Sequence, residues 1–437
     1  MKLRWSMMTA AVAGLALCLL VGSEGRNLFG NQPPRFPGLK PEGDSGFILS
    51  GAFDPDLKIG VGLRRTYQNE KSGIVSNPRD PAYPPGKRIR IVFKEELSIG
   101  VEEGDDNYMF GGNVEVTADE KGCIFVLDWN QKRIQKYDPS GKYLFSIGRK
   151  GQGPGEFGNL WAMRIDAKGR IYVTDIANKR VSFFDKETGR FQEAIKPGVE
   201  TGAVILLSNG NYFSSTNVRE DKPTGSVFTV PYGIFDRNFK MVTEFRRDQL
   251  NFQGLPEPAD RARFLAGIMS RSAFKPNIVT AVTGEEKIIV GFPDRYEFDV
   301  YDNSGKQLIK VRKEGESLPV TDRHMDYYFE TQVLDFLTSM PSRPKDDDVR
   351  KAMVYPKFLP AYQRVIPMDN GFYFVVTDTL PKASTVDLFD SKGVYAGRFV
   401  TEAPASTFIF KGGKAYGVDL IGDYRCVTRY TYTVETY

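Results

Sequence analysis

The chain has 437 residues, with 59 Lys and Arg against 55 Asp and Glu, 13% aromatic residues and a single histidine. Near-balanced charge leaves no basic field large enough to grip nucleic acid. One histidine is too few for the zinc sites that are built from two or three His or Cys ligands.

At the N-terminus, Lys2 and Arg4 precede an apolar run over residues 9–22, with Val21 and Ser23 as small residues before Glu24. That layout reads as an export signal over residues 1–23, its apolar core short for a membrane span. A retained anchor and lipidation of Cys18 are the alternatives, the second opposed by the bulk of Leu17. No transmembrane domain is expected in the mature protein. Residues 24–87, dense in Pro, Gly and polar residues, read as a linker or arm too poor in patterned apolar residues to fold alone. Beyond the signal two cysteines remain, Cys123 and Cys426, on segments read as strands of different units. Isolated strand cysteines are ordinarily core residues, although an oxidising compartment also permits a disulfide.

From residue 113 the chain repeats itself. VEVTADEKGCIFVLDWNQKRIQKYDPSGKYLFSIG is echoed by WAMRIDAKGRIYVTDIANKRVSFFDKETGRFQEAI, joined by the Gly-rich GRKGQGPGEFGNL. Each copy holds four short apolar or alternating runs separated by Lys-Gly, Asp-x-Asn or Asp-x-x-Asn, and Ser-Gly or Thr-Gly turns, the pattern of four antiparallel strands. Four strands in roughly 40 to 50 residues form a propeller blade. Blade one covers 113–147 and blade two 160–195. A looser third begins at AVILLSNGNYFSSTN. The fourth and fifth repeat the Asp-x-x-Gly turn at Asp302 and Asp390. The sixth reaches the C-terminus with three strands only. Upstream, RIRIVFKEELSIG over 88–100 is a strand without a blade. Closure of the ring removes exposed edges, so this strand is predicted to complete blade six. The predicted fold is all-β, a six-bladed β-propeller over 88–437 with four-stranded antiparallel blades. The ring is closed by an N-terminal strand, and a small helical insertion is added.

GRKGQGPGEF followed by IDAKGRIYVTDIANKRVSFFD resembles the NHL repeat. Together with IFVLDWNQKRIQKYDPSGKYLFSIG it is similar to exported bacterial six-bladed propellers of the NHL-repeat type. The resemblance implies a fold and an extracytoplasmic location, periplasmic or secreted, and no single reaction.

Alternating strand direction puts each blade's second-to-third turn and its connection to the next blade on one face of the ring. That face receives two insertions, 248–276 and 313–360. The second contains TDRHMDYYFETQVLDFLTSM, apolar at helical spacing, with Tyr327, Phe329 and Leu334 expected to pack. The candidate ligand contacts on this face are Arg149 and Lys150 for an anion, Trp129 and Trp161 for stacking on a sugar or peptide, and the equivalent pair Asp128 and Asp175. Each has a structural reading beside it: solvated turn, packing between blades, and an Asp capping its own turn. Gly153-Pro-Gly155-Glu-Phe-Gly158 fits a nucleotide fingerprint in spelling, but a strand follows where a helix is needed.

No catalytic or metal-ligating residue is nominated, and no cofactor is expected. A calcium site built from Asp, Glu and Asn oxygens is chemically available, and no cluster indicates one. Asp346-Asp347-Asp348 reads as a solvated run. The expected function is an exported, non-catalytic propeller that binds a protein, peptide or glycan on the face carrying the interblade loops. The alternative is a His-independent, metal-dependent enzyme of lactonase or lyase type at the central channel.

Overall fold

The computed structural model describes residues 67–69, 73–81, 89–111, 113–222, 225–253, 261–315, 317–338, 344–380, 383–421 and 424–436. The predicted export signal with Cys18, and most of the predicted arm, lie outside them.

Six antiparallel sheets follow one another along the chain. Blade one runs Val114–Ala118, Ile124–Asp128, Arg133–Tyr137, Tyr143–Ile147, and blade two Leu160–Ile165, Arg170–Asp175, Arg180–Asp185, Phe191–Ile195. Burial grades outward as ring position demands. In blade one the second strand is buried at all five positions, while the outermost alternates between exposed and covered. The sheets pack face to face around the ring, so the core is a set of interblade layers. Phe125 and Ile134 of blade one pack with Met163, Val173 and Phe184 of blade two. Ile99, Val427 and Tyr416 of blade six pack with Val116 and Tyr137 of blade one.

The closing strand is Ile89–Ile99, paired antiparallel to Tyr424–Thr436 as the outer strand of blade six. Both ends of the domain therefore share one sheet, as the three-strand shortfall predicted. The outer turns explain the repeat locally. Asp138 accepts hydrogen bonds from the backbone of Ser140 and Lys142 at 2.8 and 3.0 Å. Gly141 takes φ +85°, and a Cβ there would meet Leu97 of the closing strand at 2.9 Å. Blade three keeps this turn at Asp236 but puts Phe239 at φ +56° where the others have glycine. Stacking on Tyr212, 4.6 Å between ring centres, holds that side chain in place. The substitution is one reason the third repeat is hard to see in the sequence.

Blade three carries Ile205–Leu206, Tyr212–Ser215, Gly225–Phe235 and Met241–Gln253, with Val218–Lys222 added to the third strand. Its outer strand runs to Gln253, so the first residues of the 248–276 insertion belong to a ribbon that continues the blade. Blade four is Val279–Val282, Ile288–Gly291, Glu297–Tyr301, Gln307–Lys313; blade five is Arg364–Pro367, Tyr373–Leu380, Ala383–Phe389, Tyr395–Thr401; blade six begins Ile409–Lys411, Lys414–Ile421.

Part of the arm is docked. Tyr67–Asn69 and Ile74–Asn77 form a hairpin whose second strand lies parallel to Gln307–Lys313, extending blade four outward. Asn77 is buried in the seam between blades four and five. Its amide donates to the carbonyls of Arg312 and Gly393 at 3.0 and 2.9 Å, and its oxygen accepts from the Tyr395 backbone at 2.8 Å. The same seam holds Asp387, wholly buried, which accepts from Tyr296, Tyr395 and both sides of the Arg398 fork. Lys313 lies 3.7 Å from that carboxylate and over the Tyr395 ring. Burial pulls its ammonium pKa down.

Candidate functional site

The loop-bearing face is organised in two different ways. Over blades one and two the turns between second and third strands hold the preceding connection by hydrogen bonds. Asp175 accepts from the backbone N–H of Gly158, Asn159 and Asn178 at 2.8, 2.9 and 3.2 Å. Arg180, five residues on, donates to the carbonyls of Gln152, Gly153 and Glu156. Blade one repeats this: Asp128 accepts from Gly111, Asn130 and Gln131, and Arg133 donates to Asp106 and Met109. Both aspartates are 0% exposed. Their oxygens anchor backbone N–H groups of the connection and of the turn itself.

The remaining candidates on this side separate in position. Arg149 is an exposed side chain paired with Glu156 at 2.9 Å, and Lys150 is exposed beside it. Glu156 is held below the usual carboxylate range, first by the Gly153 N–H and then by Arg149. The glycines of this connection close it over Phe157: Gly148 sits at φ +79°, and a Cβ there would lie 2.1 Å from the Phe157 ring. Trp129 packs at the edge of the layer between blades one and two. Trp161 is buried and occupies a bulge in the inner strand of blade two, between Leu160 and Ala162. Nearby, burial draws the Lys132 ammonium pKa down, with Asp175 and Asp128 acting the other way. The structure thus brings Asp128, Asp175 and Lys132 together, keeps the tryptophans in the packing, and leaves Arg149 and Lys150 at the surface.

Over blades four to six the face is covered by a helical cap. The first insertion forms α1 (Arg261–Ser272); the second forms α2 (Asp322–Tyr328), a π-turn segment Phe329–Val333, α3 (Leu334–Thr338) and α4 (Asp346–Ala352). The two insertions share one core: Leu265, Ala266 and Met269 of α1 meet Phe329, Val333, Leu337, Val349 and Met353. Hydrogen bonds cross between them, from the Tyr328 hydroxyl to the Met269 carbonyl and from the Val354 N–H to Ser270 Oγ. Of the predicted packing residues, Phe329 is fully buried and Leu334 packs against the same core. Tyr327 sits near enough to Arg425 of blade six to feel its charge. Asp346, Asp347 and Asp348 form the first turn of α4, where backbone N–H groups favour negative charge.

The single histidine fastens this cap. His324 Nδ1 accepts from the Thr321 N–H at 3.1 Å in a capping box, which leaves the ring proton on Nε2. That nitrogen faces Asp378 Oδ1 of blade five at 3.0 Å. A capping box normally uses Glu or Gln at this position; here the imidazole does the same and also reaches the ring.

The inner strands carry a second feature that the sequence reading did not single out. Arg164 of blade two forms an ion pair with Glu115 of blade one, whose other oxygen accepts from the Met163 N–H at 3.1 Å. Arg364, at the start of the inner strand of blade five, donates to the Ser406 carbonyl. Arg164 lies deep in the ring, yet its side chain keeps 30% of its surface accessible. Burial and then the charge of Arg164 push the Arg364 pKa down to about 10. Burial also works against Arg164, but Glu115 and Tyr172 together outweigh it and raise that pKa. A signal was present in the sequence: LWAMRI and RVIP are strand patterns in which a charge interrupts an apolar run.

Residues 103–245, spanning the first three blades, match the family described as DUF5128, 6-bladed beta-propeller. NHL repeat-containing protein 3 of Mus musculus is 32% identical over 85 residues, 19% of this chain and 24% of that protein. E3 ubiquitin-protein ligase TRIM71 of Rattus norvegicus is 27% identical over 173 residues, 33% of this chain and 19% of that one. The chain thus spans about a quarter or less of the curated relatives it matches. Among solved structures, a member of the DUF4221 family from Bacteroides vulgatus aligns at TM-score 0.49 and 11% identity, covering 80% of this chain and 99% of that one. Virginiamycin B lyase from Staphylococcus aureus aligns at 0.39 and 9%, covering 79% and 99%. The chain is a six-bladed β-propeller, and part of it is similar in sequence to NHL-repeat proteins.

Proposed function

We propose that this propeller is exported and binds a protein, peptide or glycan on its loop-bearing face, without catalysing a reaction. The observation that carries this reading is the cap: two insertions from different interblade connections converge into one packed unit on the face where a rigid ring displays its loops. Exposed apolar side chains rise from the same face, Val354 and Phe358 on the cap, Leu420 and Ile421 on the blade-six hairpin, Val218 on the blade-three ribbon. Apolar surface of this kind on a soluble scaffold fits recognition of another molecule. The charged N-terminus followed by the apolar run of residues 9–22 supports export, and no helix among the described residues is long and apolar enough to cross a membrane.

The lactonase- or lyase-like alternative calls for carboxylates gathered at the channel. What favours binding is the chemistry the inner strands carry instead, two arginines, one lysine and one glutamate, together with the engagement of His324 in fastening the cap. Among the described residues no group of three or more His, Cys, Asp or Glu is placed to share a metal.

Because the insertions share a core, deleting 313–360 alone would strip the apolar face of α1. The better test is Val354→Lys with Phe358→Lys, which alters exposed cap residues and leaves the core intact. Quantitative capture from envelope extract should lose the specific partners of the parent protein, while circular dichroism and melting stay unchanged. Undiminished capture would remove the cap from the binding surface.

A further inference from the structure

The inner strands can be placed in tiers by counting from the turn that joins the first and second strand of each blade. Gly122, Gly169 and Gly371 occupy the same left-handed turn position in blades one, two and five. Five residues later come Leu127, Thr174 and Val376, whose inner-strand partners are Glu115, Ala162 and Arg364. Glu115 and Arg364 therefore share one tier around the axis. Arg164 pairs with Tyr172, two residues below Ala162 on the same side of its strand. Blades two and five stand opposite each other in a ring of six, so Arg164 and Arg364 are carried on inner strands on opposite sides of the axis, one tier apart, near enough for the charge of Arg164 to act on Arg364.

Their charges do not balance. Glu115 is engaged by Arg164 and by the Met163 N–H. Arg364 has no carboxylate at ion-pair distance among the described residues, and its hydrogen bond there is the one to the Ser406 carbonyl. A guanidinium has five donors in a planar fork. An uncompensated charge facing a like charge in a partly desolvated site is costly, and removing it would ordinarily stabilise a fold. The arrangement becomes favourable once an anion lies between the two forks, because guanidinium and oxyanion match in charge and in paired hydrogen-bond geometry.

We propose that the central channel is an oxyanion site, in which a carboxylate or phosphate group is held between Arg364 of blade five and Arg164 of blade two, with Glu115 positioning Arg164. This site stands apart from partner binding on the cap: neither Val354 nor Phe358 takes part in it, and it holds whether or not a macromolecule binds there.

The test is thermal unfolding of the full chain in inorganic phosphate and in succinate, each against chloride at equal ionic strength, with calorimetric titration of the same two anions. At about ten times the dissociation constant, the binding anion should raise the melting temperature by about 2 °C over chloride. A response to phosphate alone assigns a phosphate site, and a response to succinate alone assigns a carboxylate site. Arg364→Met should melt no lower than the parent protein in chloride, since a repulsion has been removed, and should lose the anion response. Arg364→Lys, which keeps the charge without the fork, should bind about tenfold more weakly. The proposal is overturned if neither anion differs from chloride in the parent protein, if Arg364→Met responds as the parent does, or if Arg364→Met melts several degrees lower in chloride, which would make Arg364 a structural group.

Discussion

Blades one and two and blades four and five are made of the same four strands, yet their upper faces are finished differently. At the end of the second strand, blades one and two have Asp128 and Asp175, and each aspartate clasps the connection that enters its own blade. Counting from the same turn, blade five has Thr377 and blade four has Phe292. Those two blades are the ones whose entering connections have grown into insertions. Blade six has Asp419 at this position and is entered by a short connection. Where the clasp is kept, the loop closes onto the ring and its polar groups are consumed. In blades four and five, which lack it, the connection departs and satisfies itself by folding, which the insertions do by sharing a core. Blade three, with Thr216 at this position, keeps a short connection tied by the Asn217 N–H to the Glu200 carbonyl at 3.0 Å. The comparison also explains why the most regular part of the sequence is the least promising place for a ligand.

Three experiments would break or sharpen it. Asp175→Ala removes a buried carboxylate that holds three partly buried N–H groups and should cost about 3 kcal/mol, measured by denaturant unfolding. Thr377→Val, at the same position in blade five, should cost about 1 kcal/mol, since the Thr377 hydroxyl donates one hydrogen bond among the described residues, to the Thr385 carbonyl at 3.2 Å. Equal costs would dissolve the distinction between clasped and unclasped blades. Next in size, His324→Ala removes both the capping contact and the tie to Asp378, and should cost about 2 kcal/mol. Hydrogen exchange should show the loss confined to α1–α4, with blades one and two protected as before. If exchange rises evenly around the ring, the cap is part of the ring's cooperative unit.

The smallest effect concerns the tie between blades one and two. Glu187 of blade two receives Lys121 at 2.7 Å and the buried Lys136 at 2.9 Å, and these hydrogen bonds hold its carboxyl at about 2. The folded value lies below the unfolded one, so the stabilisation is complete above about pH 4.5 and lost as pH falls towards 2. Glu187 is 46% exposed, so solvent screening reduces its worth to about 1 kcal/mol. Glu187→Gln should be destabilised by that amount at neutral pH and should converge with the parent protein near pH 2. A constant gap between the two melting curves would assign the loss to packing and not to charge.

Much of this was legible beforehand because the relevant forces are local. The Asp-x-x-Gly turns are closed by hydrogen bonds over two to four residues, as at Asp138 and Asp302, so they leave a spelling in the chain. Ring closure was legible for a different reason: a sheet with three strands needs a fourth, and residues 88–100 were available. Blade three was obscured because Phe239 stands where a glycine marks the turn elsewhere, its backbone held by a stacking contact that no local pattern shows. The docking of Ile74–Asn77 was hidden in the same way, since four residues in a Pro- and Gly-rich arm take their order from the edge of blade four.

The residues in the repeat, Asp128, Asp175, Arg149, Lys150, Trp129 and Trp161, could be found from the sequence because repetition names them. It was the tertiary structure that decided what each one does, burying the aspartates under loops and the tryptophans in packing. The cap and the channel depended on it entirely. Leu265 meets Val349, and Arg164 opposes Arg364, across long stretches of chain that carry no mutual signal. Periodicity and turn chemistry act over a few residues and were enough to specify blades. Which side chains face one another across the ring follows from closing six blades into a circle, and that is a property of the whole chain.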